Sequence, residues 1–266
     1  MRWLRLNDSN LDSIPTAVNR LLKLEHLYVD SNKLLCIPPS IRNLTNLRAF
    51  RAAYNDLAEE DICGDLFGLH ELAIVDLSHN SMSALPSSVP GAKSLVALSV
   101  GHNKIEEFDP SVCKSCKDME LLDLSHNKLS FIPGELRNMT GLRTLLISDN
   151  PLDTDNQLSG VFALVGLEHL EMAATNRTNE NIPLDIVKLR RLHILDLSRN
   201  PLGRFPEQIL GLGALERLNL SDCGLAELPS GITDLDKLYF LNLSRNNLTT
   251  LPVNVFAREE EKVSQP

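Results

Sequence analysis

Seven histidines and five cysteines are the side chains of this 266-residue chain best suited to do chemistry. His79, His102 and His126 recur at spacings of 23 and 24 residues, each directly before an asparagine. Three imidazoles on neighbouring strands would resemble a transition-metal ligand set, and protonation near neutral pH would make them repel one another. No carboxylate recurs beside all three to orient the rings, so the tripeptides are read as a turn form and no metal is assigned. Cys113-Lys-Ser-Cys116 has the C-x-x-C spacing of half a zinc site or a redox pair, but the chain holds no second pair. With Cys36, Cys63 and Cys223 scattered elsewhere, the cysteines are expected to be free, Cys113 and Cys116 buried or half-buried. There is no glycine-rich phosphate loop, nucleophile elbow or metalloprotease helix motif. No catalytic residue and no cofactor are therefore expected.

The 23-residue spacing belongs to the whole chain. Aligned to L-x-x-L-x-L-x-x-N-x-L, the asparagine position falls at Ser9, Asn32, Asn55, Asn80, Asn103, Asn127, Asn150, Thr175, Asn200, Cys223 and Asn246, at intervals of 23 to 25 residues. That period is a leucine-rich repeat, not an ankyrin or helical-pair repeat. Each unit supplies a short strand with one buried side, such as Leu195 and Leu197. The asparagine then bonds main-chain groups where the chain turns inward. A Leu-Pro or Ile-Pro pair, as at Ile132-Pro133, opens a return segment. The expected fold is an α/β repeat: a right-handed horseshoe solenoid with a parallel concave sheet and short helical or irregular convex segments. Eleven repeats are expected over residues 1–256, followed by a charged, disordered tail over 257–266. Met1 opens inside the first strand pattern with no cap ahead of it. Because a solenoid needs capped ends, the chain is expected to be a piece or short product of a longer protein.

A net charge of −9 and a pI near 5.3 argue against nucleic-acid or anionic-membrane binding, which needs clustered Lys and Arg. No apolar run is long enough for a membrane span or the core of a secretory signal, which points to an intracellular protein. Strand alternation puts the variable positions on the concave face. Its central column reads Arg5, Tyr28, Arg51, Asp76, Ser99, Asp123, Leu146, Glu171, Asp196, Asn219, Asn242. Adding neighbouring columns brings Glu120, Asp149 and Glu168 to the middle against Arg143, with Arg199 toward one end. The expected partner site is this concave set, with Tyr28 and Tyr54 as candidate aromatic anchors, and the expected partner is a monomeric solenoid's protein ligand presenting a basic segment.

Repeat eight breaks the pattern. Thr175 replaces the asparagine, Asn176 follows, and Arg177 stands where an apolar residue should be buried. Burying a lone guanidinium is costly, so the loop is expected to bulge or Arg177 to meet an acid such as Glu180. The segment Thr175-Asn-Arg-Thr-Asn-Glu-Asn-Ile-Pro183 closely resembles the matching repeat of the flightless family, proteins with a leucine-rich-repeat domain followed by gelsolin-like domains. Arg2-Trp-Leu-Arg-Leu-Asn7 with Ile14-Pro15, and the 25-residue step after repeat three, are similar too. The resemblance implies an interaction scaffold of the actin cytoskeleton and signalling. It implies Ras-type GTPases and coiled-coil repeat-interacting proteins as partners, and a cytoplasmic or cytoskeletal location with a link to the nucleus. Actin contact would fall to domains absent from this chain. The alternative is a Ras-pathway scaffold or phosphatase-adaptor solenoid.

Overall fold

The computed structural model describes residues 1–153 and 158–252. Eleven strands of three residues each form one parallel sheet in chain order: β1 (Trp3–Arg5), β2 (His26–Tyr28), β3 (Ala49–Arg51), β4 (Ile74–Asp76), β5 (Ala97–Ser99), β6 (Leu121–Asp123), β7 (Thr144–Leu146), β8 (His169–Glu171), β9 (Ile194–Asp196), β10 (Arg217–Asn219) and β11 (Phe240–Asn242). The register carries every repeat position onto its equivalent, Leu122 beside Leu145 and Asp123 beside Leu146. The middle residue of each interior strand is buried, because successive side chains point to opposite faces. Inward leucines and their relatives merge into one continuous core, from Ile14 to Leu235. Leu4, Leu6 and Leu11 at one end, and Leu238, Leu241 and Leu243 at the other, are only partly buried against it. They have a described neighbouring repeat on one side only.

The asparagines close the turns. Asn127 shows the pattern: its amide donates to the carbonyls of Leu124 and Ser125 in its own repeat and Val100 in the preceding one, while its Oδ1 accepts the Ile105 N–H at 2.9 Å. Asn32, Asn55, Asn80, Asn103, Asn150, Asn200 and Asn246 bond in the same way. Main-chain groups at the turn, which would otherwise be buried without partners, are thereby satisfied. The return segments are mostly single 3-10 turns, such as Gly134–Asn138 after Pro133. Two are short helices, α1 (Pro110–Ser115) and α2 (Ser159–Phe162). The Asp109 carboxylate caps α1 by accepting the Ser111 N–H at 2.8 Å, and Pro110 occupies a first-turn position where no N–H is needed.

Where the ladder residue is not asparagine, the preceding repeat compensates. Leu152 and Leu202 cannot donate to an Oδ1 at Thr175 or Cys223. Their N–H groups bond back to the carbonyls of Asn150 (2.8 Å) and Asn200 (2.7 Å) instead. Both are three-residue turns centred on proline, Pro151 and Pro201. Thr175 keeps one ladder bond, its hydroxyl donating to the Met172 carbonyl at 2.7 Å. The Cys223 thiol lies 3.3 Å from the Leu197 carbonyl. Of the expectations for Arg177 from sequence, the outward bulge is corrected: the side chain turns inward. It is fully buried, its Nε donating to the Thr175 carbonyl at 2.9 Å and its terminal nitrogen to the Asp153 carbonyl at 2.7 Å. Its own N–H goes to Asn200 Oδ1. The long side chain reaches a main-chain oxygen one repeat away, and these hydrogen bonds help offset the cost of its burial. Burial lowers its pKa, while Asp153 works in the opposite sense. The expected tail over 257–266 and the boundary at 256 lie outside the described residues.

Candidate functional site

The residues expected on the concave face fall on three parallel lines. Tyr28, Arg51, Asp76, Asp123, Glu171 and Asp196 occupy the last position of their strands and form the central column, in register from β2 to β9. Glu120, Arg143 and Glu168 stand just before their strands, on one rim. Tyr54, Asp149 and Arg199 stand beyond the strand ends, on the opposite rim. That second rim is a backbone feature: in all eleven repeats the residue directly before the ladder position is left-handed, with φ from +49° to +57°. Asp, Ser, His, Tyr, Ala and Arg all occupy it.

The acidic centre is partly neutralised from within. Asp76 accepts from Arg51 at 3.1 Å, and Asp149 is clamped by both terminal nitrogens of Arg199 at 2.6 Å across the intervening small Ala174. Burial pushes the Asp149 carboxyl up, but the Arg199 hydrogen bonds and the nearby histidines outweigh it and leave its pKa below the usual value. Glu171 lies 2.8 Å from His169, and Glu168 is at the 4.0 Å limit of a contact with Arg143. Asp123, Asp196 and Glu120 have no cation within ion-pair distance among the described residues.

Two of these aspartates also do local work. Asp123 Oδ1 accepts the Ser125 N–H at 3.0 Å and its hydroxyl at 2.6 Å, and Asp196 Oδ1 accepts the Ser198 N–H at 2.8 Å. Asn219 and Asn242 make the equivalent bonds to Ser221 and Ser244. The local turn therefore needs a side-chain carbonyl oxygen, not a negative charge. Beside this column runs a less polar one, with Ala49, Ile74, Ala97, Leu121, Thr144 and Ile194 at the first strand positions. At the β8–β10 end, His169, Glu171, Ile194, Asp196, Arg217 and Phe240 line a depression of about 360 Å³. The Arg217 guanidinium lies over the Phe240 ring at 4.3 Å.

The histidines are not dispersed turn residues. Tyr54, His79, His102 and His126 stack face to face along the left-handed rim, with ring centroids 3.8, 3.9 and 3.9 Å apart and planes within 14° of parallel. His126 Nε2 ends the stack 3.3 Å from Asp149 Oδ2. Imidazole lone pairs lie in the ring plane, so three parallel rings cannot converge on one tetrahedral ion. Among the described residues no group of three ligating side chains is placed to hold a metal. Tyr54 was readable in the sequence as the fourth member, because it precedes Asn55 as each histidine precedes its asparagine. A second aromatic group lies at the opening strands: Trp3 stacks on His26 at 3.5 Å, and Arg5 and Arg51 lie over Tyr28 at 5.3 and 5.7 Å. Cys113 and Cys116 are buried, and burial above all pushes the Cys113 thiol up to about 12, which leaves no reactive thiolate.

A parallel single-sheet stack with an asparagine ladder defines a leucine-rich-repeat solenoid, a class of interaction domain. Leucine-rich-repeat family models match residues 93–152, and also 23–44, 191–212, 214–235 and 237–258. A leucine-rich-repeat protein of Leptospira interrogans has a similar structure, with a TM-score of 0.81 and 28% identity over 95% of this chain and 68% of its own. Within that class the chain belongs to the flightless family as a leucine-rich-repeat domain. It is 36% identical over 212 residues to the flightless-1 homolog of Caenorhabditis elegans and 38% identical over 207 residues to that of Mus musculus. Those matches take in 80% and 78% of this chain but only 17% and 16% of the relatives' own length. Among the described residues no helix is long and apolar enough to cross a membrane.

Proposed function

We propose that this chain is the protein-binding part of a scaffold of the actin cytoskeleton and signalling, and that it docks a basic, amphipathic segment of its partner along β4–β9. The observation that carries this reading is the pair Asp123 and Asp196, aligned in one column, with no cation within ion-pair distance among the described residues, and doing a turn-forming job that Asn219 and Asn242 do without charge. The adjoining apolar column of Ala49, Ile74, Ala97, Leu121 and Ile194 supports an amphipathic partner. Ras-type GTPases and coiled-coil repeat-interacting proteins are the partner classes that the family likeness brings forward, and actin itself is assigned to domains other than these repeats. The domain acts as a monomer in the cytoplasm or on the cytoskeleton, with the nucleus a second location, and it is not an enzyme.

The test replaces Asp123 and Asp196 with asparagine and Glu171 with glutamine. These changes keep the turn bonds and remove three charges. Binding to a lysine- and arginine-rich peptide is expected to weaken about tenfold or more at low salt and less at high salt, because exposed charges are screened. Unchanged affinity at both salt concentrations would overturn the reading.

A further inference from the structure

The histidine rim stands directly beside the acidic column, and nothing in the binding reading uses it. Four stacked rings in the same left-handed position are held by the backbone, since every repeat turns there. The groups around the stack are known from each side. Asp123 acts on His102 from the central column, and Asp149 acts on both His102 and His126 from the next repeat, itself clamped by Arg199. On the turn side, Lys104 reaches Ser81 at 3.5 Å and Lys128 is 3.9 Å from Glu106. Tyr54 closes the other end.

Such a stack titrates as one coupled unit. A proton on one imidazole raises the cost of a proton on the next, 3.9 Å away. His126 faces the Asp149 carboxylate, while His102 has a histidine on each side. Burial, then repulsion from His126 and His79, holds the His102 pKa below its ordinary value, against the pull of Asp123 and Asp149. With the imidazoles uncharged, the acidic column beside them is open to a cationic ligand. Acidification adds up to three positive charges along the rim.

We propose that the Tyr54–His79–His102–His126 stack is a proton gate on the acidic docking surface, leaving it open to a basic segment at neutral pH and closing it by charge repulsion on mild acidification. The gate rests on the basic-segment reading above. It differs from a single titrating histidine because the rings are close enough to split their titrations over a wide pH range. His169, 2.8 Å from Glu171, and His193 lie outside the stack.

The test measures binding of a fluorescent 15-residue lysine- and arginine-rich peptide to the full chain at pH 7.5 and 5.5, at constant ionic strength. The triple variant His79→Gln, His102→Gln, His126→Gln is measured in parallel. Wild-type affinity is expected to fall about tenfold or more on acidification, and that of the variant about threefold or less, with both equal at pH 7.5. Equal pH dependence in the two proteins would overturn the gate and leave the basic-segment reading standing. Absence of peptide binding by either protein at pH 7.5 would overturn that reading, and the gate with it. NMR titration of the wild-type imidazoles needs no variant: midpoints spread over more than one pH unit, with His102 last to protonate, are expected. A shared midpoint for all three would overturn the coupling on which the gate depends.

Discussion

The asparagine ladder and repeat eight close the same turn by different means. At Asn127 or Asn150 one short side chain bonds groups in two repeats at once, so each interior turn is satisfied by a single residue type. At repeat eight Thr175 supplies one bond, Pro151 folds the Leu152 N–H back onto its own repeat, and Arg177 reaches across to Asp153. The regular solution depends on one residue and the irregular one on three. Losses in the ladder should therefore be concentrated, and those in repeat eight distributed.

The largest effect is expected at Asn200, which accepts from the N–H groups of Thr175 and Arg177 and donates to three carbonyls. Asn200→Ala strands several buried groups and should lower unfolding free energy by about 3–5 kcal/mol, measured by urea denaturation. A loss below about 1 kcal/mol would mean that water or relaxation replaces the ladder. Arg177→Leu comes next. Leucine fits the consensus but abandons the carbonyls of Thr175 and Asp153, for an expected loss of about 2–3 kcal/mol; a gain in stability would show that the irregular turn is only a tolerated defect. Cys223→Asn should change stability by less than about 1 kcal/mol. Its new carbonyl oxygen would lack the Leu202 N–H, which the Pro201 turn has already taken, unless Pro201 is also replaced.

Acid sensitivity on the left-handed rim has two sources of the same sign, separated by pH range. The His102 pKa lies below its unfolded value, so the folded state binds fewer protons there. Its contribution is intact above about pH 6.5 and is lost as pH falls from there through the folded pKa. Asp149 also has a lowered pKa, and as a carboxylate its contribution holds until pH falls below the ordinary aspartate range. Thermal melts should thus show two steps of acid destabilisation. The His79, His102 and His126 to Gln variant should remove the first, and Arg199→Gln should shrink the second.

The fold was legible because spacing alone sets it: leucines at fixed offsets and an amide every 23 to 25 residues leave one way to bury both. The strand register and the central column from Arg5 to Asn242 follow from the same alignment. The inward turn of Arg177 was not legible, because main-chain oxygens such as those of Thr175 and Asp153, which it reaches, carry no residue identity. Sequence could suggest only another side chain, such as Glu180. The Asn-Pro pairs at 150 and 200 did carry information: both fall just before a repeat whose ladder residue is not asparagine. The column of His79, His102 and His126 was legible from their shared repeat position, and the structure brings the rings face to face at 3.9 Å on the left-handed rim. The pairing of Asp149 with Arg199 skips a whole repeat and depended on Ala174 being small.

The acidic column and the ladder differ in what they require of the same kind of side chain: the ladder needs an amide, while the column's turns accept Asp or Asn alike. The turn bonds alone therefore do not call for the negative charge at Asp123 and Asp196. The direct measurement is peptide affinity of the Asp123→Asn, Asp196→Asn double variant beside its urea unfolding curve. Unchanged stability with basic-peptide binding weakened about fivefold or more at low salt is the expected result. Unchanged binding, or a stability loss that accounts for the weakening, would contradict a docking role for the concave charge.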